Sequence, residues 1–394
     1  MKSAFWRSLA VVAILASPMM ASANDATIGS EVANNAMYGG TLMNTTAIFN
    51  AFPHMVVNNG TGVELNTMGD GMGKVWWEAY DELWLTMDAG RMDYGMSGSA
   101  FMWGNGWSLV NPFDGTAFED AMMVNLGIAK PTANGGGWAV GVKLAPTGGS
   151  EFTPEGANPV TGEQNVTGYG VNGSWGNGDG LHIGAEWATN SIEDVSGDPA
   201  ITEEMSNMGF GVNARFDTDT WIYQGNFTYI SASETDDTPT PVVPDDDTTA
   251  LAFEANAGRY LKNEVDGQTS AEFGLGWVSA SNEFDVDKDD VSAFLLPAVR
   301  VSAWEMIGDY FGLMGGLGFT HVMATNTSDD STVEGEEESK FNGSFFDWSA
   351  GLFFQPTDNV RIDARFEEGN LNQILSTGNN QPLVMYLGVT VGLN

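Results

Sequence analysis

The chain lacks cysteine altogether, and it is poor in positive charge: 14 lysine and arginine residues stand against 52 aspartate and glutamate residues in 394. The missing thiols exclude a disulfide framework, thiolate catalysis and a cysteine-ligated metal site. The formal net charge of −38 would repel phosphate groups, which argues against binding to nucleic acid or to an anionic membrane surface. Solubility or a salty habitat accounts for the charge as well as a functional role does.

Long apolar runs are also missing after the first 23 residues, so no transmembrane helix is expected. The start of the chain is different, since Lys2 and Arg7 precede an apolar run over Leu9–Ala16 and a small-residue site at Ala21–Ala23. This arrangement predicts a cleaved secretory signal peptide over residues 1–23, and therefore export.

Catalytic and metal-binding motifs are absent as well. The chain has no Gly-x-Ser-x-Gly, P-loop or His-Glu-x-x-His pattern, and its three histidines are widely separated. We therefore expect neither an enzyme nor a cofactor. Asp285, Asp287 and Asp289 have the spacing of a calcium loop but lack its turn glycine and closing glutamate. These aspartates are better interpreted as solvated loop surface, with divalent cations bridging the loops to lipopolysaccharide as the alternative.

What the sequence does contain is a period of two. Between Met208 and Phe216 the apolar residues fall on one face, and glycine, asparagine and arginine fall on the other. After the turn 217–219 the alternation resumes with aromatic residues to Ile230, which predicts a β-hairpin with two unlike faces. Similar segments, mostly about nine to thirteen residues long, recur down the chain, and this is the length that a tilted strand needs to cross a bilayer.

The connectors alternate between short turns and long acidic segments. This pattern predicts an all-β fold, a closed antiparallel transmembrane β-barrel with short periplasmic turns and long acidic extracellular loops. Starting the strands at Met92–Trp103 gives about 14 strands, and adding two earlier segments from Lys74, with a tight turn at Ala89–Arg91, gives about 16. The predicted domains are thus the signal peptide, an N-terminal segment over 24–73 that is either a plug or an irregular lead-in, and a barrel over 74–394.

The two faces of the strands predict two environments. Large apolar side chains should face lipid, with aromatic residues near the headgroups, and the candidates are Phe210, Trp221, Phe227, Phe273, Trp277, Leu313, Phe319, Ile362 and Phe366. Charged side chains on the opposite face need water, because a dry core would make each unpaired charge cost several kcal/mol. The candidate lumen residues are Lys143, Glu186, Arg215, Glu254, Glu272, Arg300, Asp347, Arg361, Asp363, Arg365 and Glu367.

These features resemble bacterial outer-membrane β-barrel proteins of the porin-like kind over roughly residues 92–394. The last strand is similar to the assembly signal of that class, with Tyr386, Gly388, Val391 and Leu393 at the expected steps, although the chain ends in Asn394 rather than an aromatic residue. The resemblance implies an outer-membrane location, lipid and lipopolysaccharide as surroundings, and transport of small solutes.

Three functions are compatible with this interpretation. The first is a passive pore made mildly cation-selective by its acidic loops. The second is a gated uptake channel for hydrophobic compounds, with residues 24–66 as a plug. The third is a structural or adhesive barrel whose lumen is closed by paired charges. The sequence does not distinguish an oligomer from a monomer.

Overall fold

The chain folds into a closed antiparallel β-barrel of sixteen strands. The computed structural model describes Ser30, Ala33, Thr45 and residues 48–66, 72–91, 122–152, 162–196, 201–236, 246–264, 266–284, 287–329, 337–366 and 384–393. The strands are β1 Gly62–Asn66, β2 Met72–Tyr80, β3 Leu83–Arg91, β4 Met122–Pro131, β5 Gly137–Phe152, β6 Gly162–Gly176, β7 Leu181–Ser196, β8 Ile201–Asp217, β9 Ile222–Asp236, β10 Asp246–Glu264, β11 Gly267–Phe284, β12 Asp287–Met306, β13 Phe311–Asp329, β14 Glu337–Thr357, β15 Val360–Phe366 and β16 Val384–Gly392.

Each strand pairs with its neighbours in sequence, and β1 closes the ring by pairing with β16. The predicted fold class is therefore confirmed. A short α-helix, Ile48–Ala51, and a 3₁₀ helix, Pro53–Asn58, precede β1. Within the described ranges, no helix has the length and apolar character that a membrane span requires.

The barrel begins earlier in the chain than predicted. Its first strand is Gly62–Asn66, within the segment assigned to the N-terminal region, and the sixteenth strand comes from here rather than from Met92–Trp103. Met92–Trp103 lies outside the described residues, and β3 pairs directly with β4. The tight turn predicted at Ala89–Arg91 is wrong, because β3 continues through these residues and Arg91 pairs with Met122. Five residues are too few to show a clear period of two, which is why β1 was missed.

The central strands are longer than the sequence pattern suggested. Residues 281–292, which include the aspartates interpreted above as loop surface, belong almost entirely to β11 and β12, and β14 runs for 21 residues. Apolar alternation predicts only the part of a strand that contacts hydrocarbon. The hydrogen-bonded ladder continues beyond it, where both faces carry polar residues such as Asn282 and Glu283. Most of the long acidic connectors lie outside the described residues.

The short turns lie together at one rim, which we call the short-turn rim. The turn between β6 and β7 shows why the chain reverses at this rim. The side-chain oxygen of Asn177 accepts hydrogen bonds from the backbone amides of Asp179 and Leu181, at 3.2 and 2.8 Å. Gly180 completes this turn with a φ of 92°, which favours glycine. Both ends of the barrel sequence meet at the same rim, where the amide of Leu393 donates to the carbonyl of Thr61.

A bulge between β11 and β12 keeps the two faces of the barrel distinct. Gly274 pairs with Ala298 but Gly276 pairs with Leu295, so β12 has one residue more than β11 over this interval. As a result Leu295 and Arg300 both lie on the buried face, although their separation in sequence is odd.

Candidate functional site

The strand side chains alternate between a buried and an exposed face. Because the sheet is one wall closed on itself, a strand side chain becomes buried by facing the interior. Eight of the candidate lumen residues are buried on this face: Lys143, Glu186, Arg215, Glu254, Glu272, Arg300, Arg361 and Asp363. Arg365 shares the face, is half-buried, and has its guanidinium 5.6 Å from the Tyr386 ring. Asp347 pairs with Gly318 in the ladder, and Glu367 lies outside the described residues.

The opposite face is apolar and exposed. Among the candidate lipid-facing residues the exposed ones are Phe210, Phe227, Phe273, Leu313 and Phe319, and the half-buried ones are Trp221, Trp277, Ile362 and Phe366. Trp221 is covered in part by its neighbours, since Arg259 lies 5.7 Å above its ring and Phe273 meets its edge. An apolar face of this extent matches hydrocarbon better than water.

Charged groups in the interior pair with groups on the same part of the wall. Lys143 forms a buried ion pair with Glu186, two strands away, across β6, where Gly170 is the ladder partner of Lys143. Arg361 donates from Nε to Asp363 Oδ1 at 2.7 Å, and its guanidinium lies 4.1 Å from the Phe353 ring. These ion pairs therefore run along the wall and do not cross the bore.

Neutral polar side chains extend this network around the wall. Asn125 donates to Asp88 at 3.1 Å, and Asn226 donates to Asn213 at 2.9 Å while accepting from Thr228. The interior is not uniformly polar, however. An apolar patch on β10–β13 consists of Ala250, Ala252, Val278, Ala280, Ala293, Leu295 and Val322.

The interior also holds part of the N-terminal segment. On one side, the amide of Ser30 donates to Asp363 Oδ2 at 3.0 Å, and Ala33 packs against Met314 and Phe353. All three of these wall residues belong to β13–β15 and lie on the buried face.

The opposite wall holds residues 48–59, which we call the inner segment. Phe52 is buried beside a small cavity lined by Asn213, Gln224 and Glu254. Gly184 on β7 allows a close approach, because a Cβ at this position would collide with the carbonyl oxygen of Ala51. The inner segment thus packs against β2–β5 through Phe49 and Val56, and it reaches β7–β10 through Ala51 and Phe52.

His54 fixes the inner segment to the wall. Its backbone amide donates to Ser174 Oγ at 2.9 Å, and its ring atom Nδ1 lies 2.8 Å from the same hydroxyl. Its Nε2 lies 3.0 Å from Nδ1 of His182 on β7, and the two rings are stacked. Gly176 leaves room for both rings, since a Cβ there would collide with them.

Burial makes the charged form of His54 costly. The pKa of His54 is lowered from 6.5 to about 3, first because the imidazole is removed from water and second because His182 lies beside it. The His54 ring is therefore neutral at ordinary pH, and a neutral ring can both donate and accept a hydrogen bond.

Sequence reasoning missed several members of this site. The pairing of His54 with His182 was not predicted, because 128 residues separate them and nothing local indicates that they meet. Glu64, Lys74 and Asp88, which are opposite one another on β1, β2 and β3, were also missed.

The three aspartates with calcium-loop spacing, interpreted above as loop surface, lie only partly within the described residues. Asp287 and Asp289 belong to β12, and Asp285 lies outside the described residues. Among the residues that the structure describes, no group of three or more acidic or histidine side chains could hold a metal ion.

Comparisons with known proteins give only distant likenesses. No protein-family model matches the chain, and no curated protein matches it. Among solved structures, a Pseudomonas aeruginosa FadL homologue has 12% identity and a TM-score of 0.40, with 94% of this chain and 100% of that chain covered. The ferric citrate transporter FecA has 10% identity and a TM-score of 0.42, covering 84% and 49%. The yersiniabactin receptor FyuA from Yersinia pestis has 11% identity and a TM-score of 0.39, covering 62% and 44%. The chain thus spans less than half of the receptor's length, and similarity this low says nothing about the solute.

Proposed function

We propose that this protein is an outer-membrane channel for small solutes, closed at rest by its own N-terminal segment. The proposal is supported by a sixteen-strand barrel, an apolar exterior and an interior rich in charged and amide side chains. Barrels of about 16 strands are wide enough to enclose an aqueous channel.

The proposed location rests on the exterior. A closed barrel leaves no unpaired backbone edge in hydrocarbon, and the exposed outer face carries large apolar residues such as Phe273 and Leu317. Together with the predicted signal peptide, this supports export to the outer membrane, with membrane lipid and lipopolysaccharide as surroundings.

The position of the N-terminal segment carries the proposal. Ser30 is bonded to one wall and His54 to another, so the segment contacts both sides of the interior. This favours the gated channel over the passive pore among the predicted functions. The barrel without this segment is the conducting form in this proposal.

The ion pairs argue against a purely structural barrel. A lumen closed by its own charges would need pairs that cross the bore. Lys143 and Glu186 instead pair along the wall, and Arg361 pairs with a residue of its own strand. These arrangements stabilise the wall and leave closure to the N-terminal segment.

Conductance in planar bilayers tests the proposal. The mature chain should show rare, brief openings, and a variant lacking residues 24–58 should show stable openings of at least tenfold higher mean conductance. The deletion ends before β1 because β1 completes the ring. Equal conductance of the two proteins, both shown to be folded by heat-dependent gel mobility, would contradict the plug. Absence of conductance in both would favour a structural barrel.

A further inference from the structure

A groove of about 1230 Å³ crosses the outer face of the barrel on β2–β8. Its floor is formed by Gly173 and Ala185, which are opposite each other on β6 and β7. Gly173 and Ala185 are smaller than the outward-facing residues beside them at the same height of the barrel wall. The groove is therefore a notch between rows of bulkier apolar side chains.

Large side chains form the two sides of the groove. Val171, Trp187 and Phe210 lie in one row across β6, β7 and β8, two residues from the floor along each strand. Trp138, Trp175 and Ile183 form the corresponding row on the other side. The rows are separated by four residues, or roughly 13 Å along the strand, which is wide enough for one or two hydrocarbon chains.

The barrel wall behind the groove is held rigidly. Ser174, next to Gly173 on β6, accepts a hydrogen bond from His54 of the inner segment. Glu186, next to Ala185 on β7, pairs with Lys143. A Cβ added to Gly173 would lie 3.3 Å from the carbonyl oxygen of Ala139, so the floor is already close to its neighbouring strand. The notch is thus a built feature of the wall.

We propose that this groove is a specific binding site for the hydrocarbon chain of a membrane lipid. The groove is continuous with the exposed apolar face, through Val140, Val171 and Trp175. Its outward-facing lining carries no charged side chain that could select a headgroup. An unfilled notch would lose dispersion contacts along its whole lining, and an acyl chain restores them.

The geometry also suits a chain more than a protein partner. Strands of such barrels tilt by about 35–45°, so a groove that runs across the strands lies at roughly 45–55° to the membrane normal, and a flexible acyl chain can bend into it. The site depends on the barrel spanning a membrane but not on the closure of the lumen.

Filling the floor tests this proposal. The Ala185→Leu variant should lose at least fivefold of the lipid that remains bound after extraction in mild detergent, as counted per chain by native mass spectrometry. Ala271→Leu is the matched control, since Ala271 is also small, outward-facing and on a central strand. The control should retain as much lipid as the unmodified chain.

Several results would overturn the site. These are equal lipid retention in the two variants, no retained lipid on the unmodified chain, or dissociation of an oligomer by Ala185→Leu with lipid retention unchanged. The last result would assign the groove to a contact between copies.

If Ala185→Leu fails to assemble, the unmodified chain is loaded with lipids brominated on their acyl chains and diluted into unlabelled detergent. Quenching of tryptophan fluorescence that persists for minutes supports the site, and immediate recovery contradicts it.

Discussion

Replacing His54 by alanine should release the inner segment from the wall. The imidazole interacts with Ser174 and His182 through two side-chain hydrogen bonds, and it is buried to 1% exposure. The backbone bond from His54 to Ser174 remains available in the variant, so the perturbation is limited to the ring.

The size of the effect follows from these contacts. Each hydrogen bond contributes about 0.5–1.5 kcal/mol net, so two of them contribute about 1–3 kcal/mol to docking. A change of about 1.4 kcal/mol shifts an equilibrium tenfold. We therefore expect the open probability of the channel to rise by roughly 5- to 140-fold, until it saturates.

Single-channel recording in planar bilayers measures this rise directly. His321→Ala is the matched control, because His321 also bonds a serine, Ser344, at 2.9 Å, but on the outer face of β13. The control should keep the open probability of the unmodified protein. If His54→Ala and His321→Ala give indistinguishable traces, His54 does not hold the inner segment and the reasoning is refuted.

Three further predictions follow from the same contacts. Gly184→Ala should raise the open probability as His54→Ala does, because the new methyl group displaces Ala51. Gly225→Ala is the control and should have no effect, because its Cβ would meet its nearest neighbour at 3.7 Å. Bilayer recording compares the two variants. Lowering the pH from 7 to 4 should also raise the open probability. The pKa of His54 is about 3 when the inner segment is docked and 6.5 when it is free, so docking is strongest above pH 6.5 and weakens as the pH falls toward 3. A flat pH profile would contradict this. Lys143→Met should lower the free energy of unfolding by about 3–5 kcal/mol by removing one member of the buried Lys143–Glu186 ion pair, as measured by denaturant titration. A second substitution of Glu186 by leucine should restore most of it.

The cation selectivity predicted from the acidic loops is tested separately. Reversal potentials under a salt gradient should favour cations at low ionic strength, where charges are least screened. Preference for anions under those conditions would contradict the prediction.

The period of two was sufficient to predict the barrel and the division of its central strands into two unlike faces. Phe273 and Glu272 are consecutive, and the alternation alone indicated that they belong to different surroundings. The strand ends were less predictable, because the ladder of β8 continues through Ile201–Asn207, where the apolar alternation has stopped. A hydrogen-bonded ladder needs backbone partners and does not depend on a hydrophobic face.

The contacts of the N-terminal segment could not be predicted in the same way. His54, Ser174 and His182 come together only because β6 and β7 close beside the inner segment, and each residue is unremarkable in its own stretch of sequence. Ser30 and Asp363 are 333 residues apart. Long-range contacts of this kind depend on the closed ring and on the path of the chain within it.

The most direct test of the account is the accessibility of three consecutive positions on β10. The chain has no cysteine of its own, so spin labels can be attached singly to Ala255→Cys, Asn256→Cys and Ala257→Cys in lipid vesicles. Ala255 and Ala257 share the outer face with Leu275 and Phe273, and Asn256 lies on the inner face. We predict that oxygen dissolved in the bilayer relaxes the labels at 255 and 257 more strongly than the label at 256. The reverse order, or no alternation, would contradict a barrel with lipid outside and a polar lumen within.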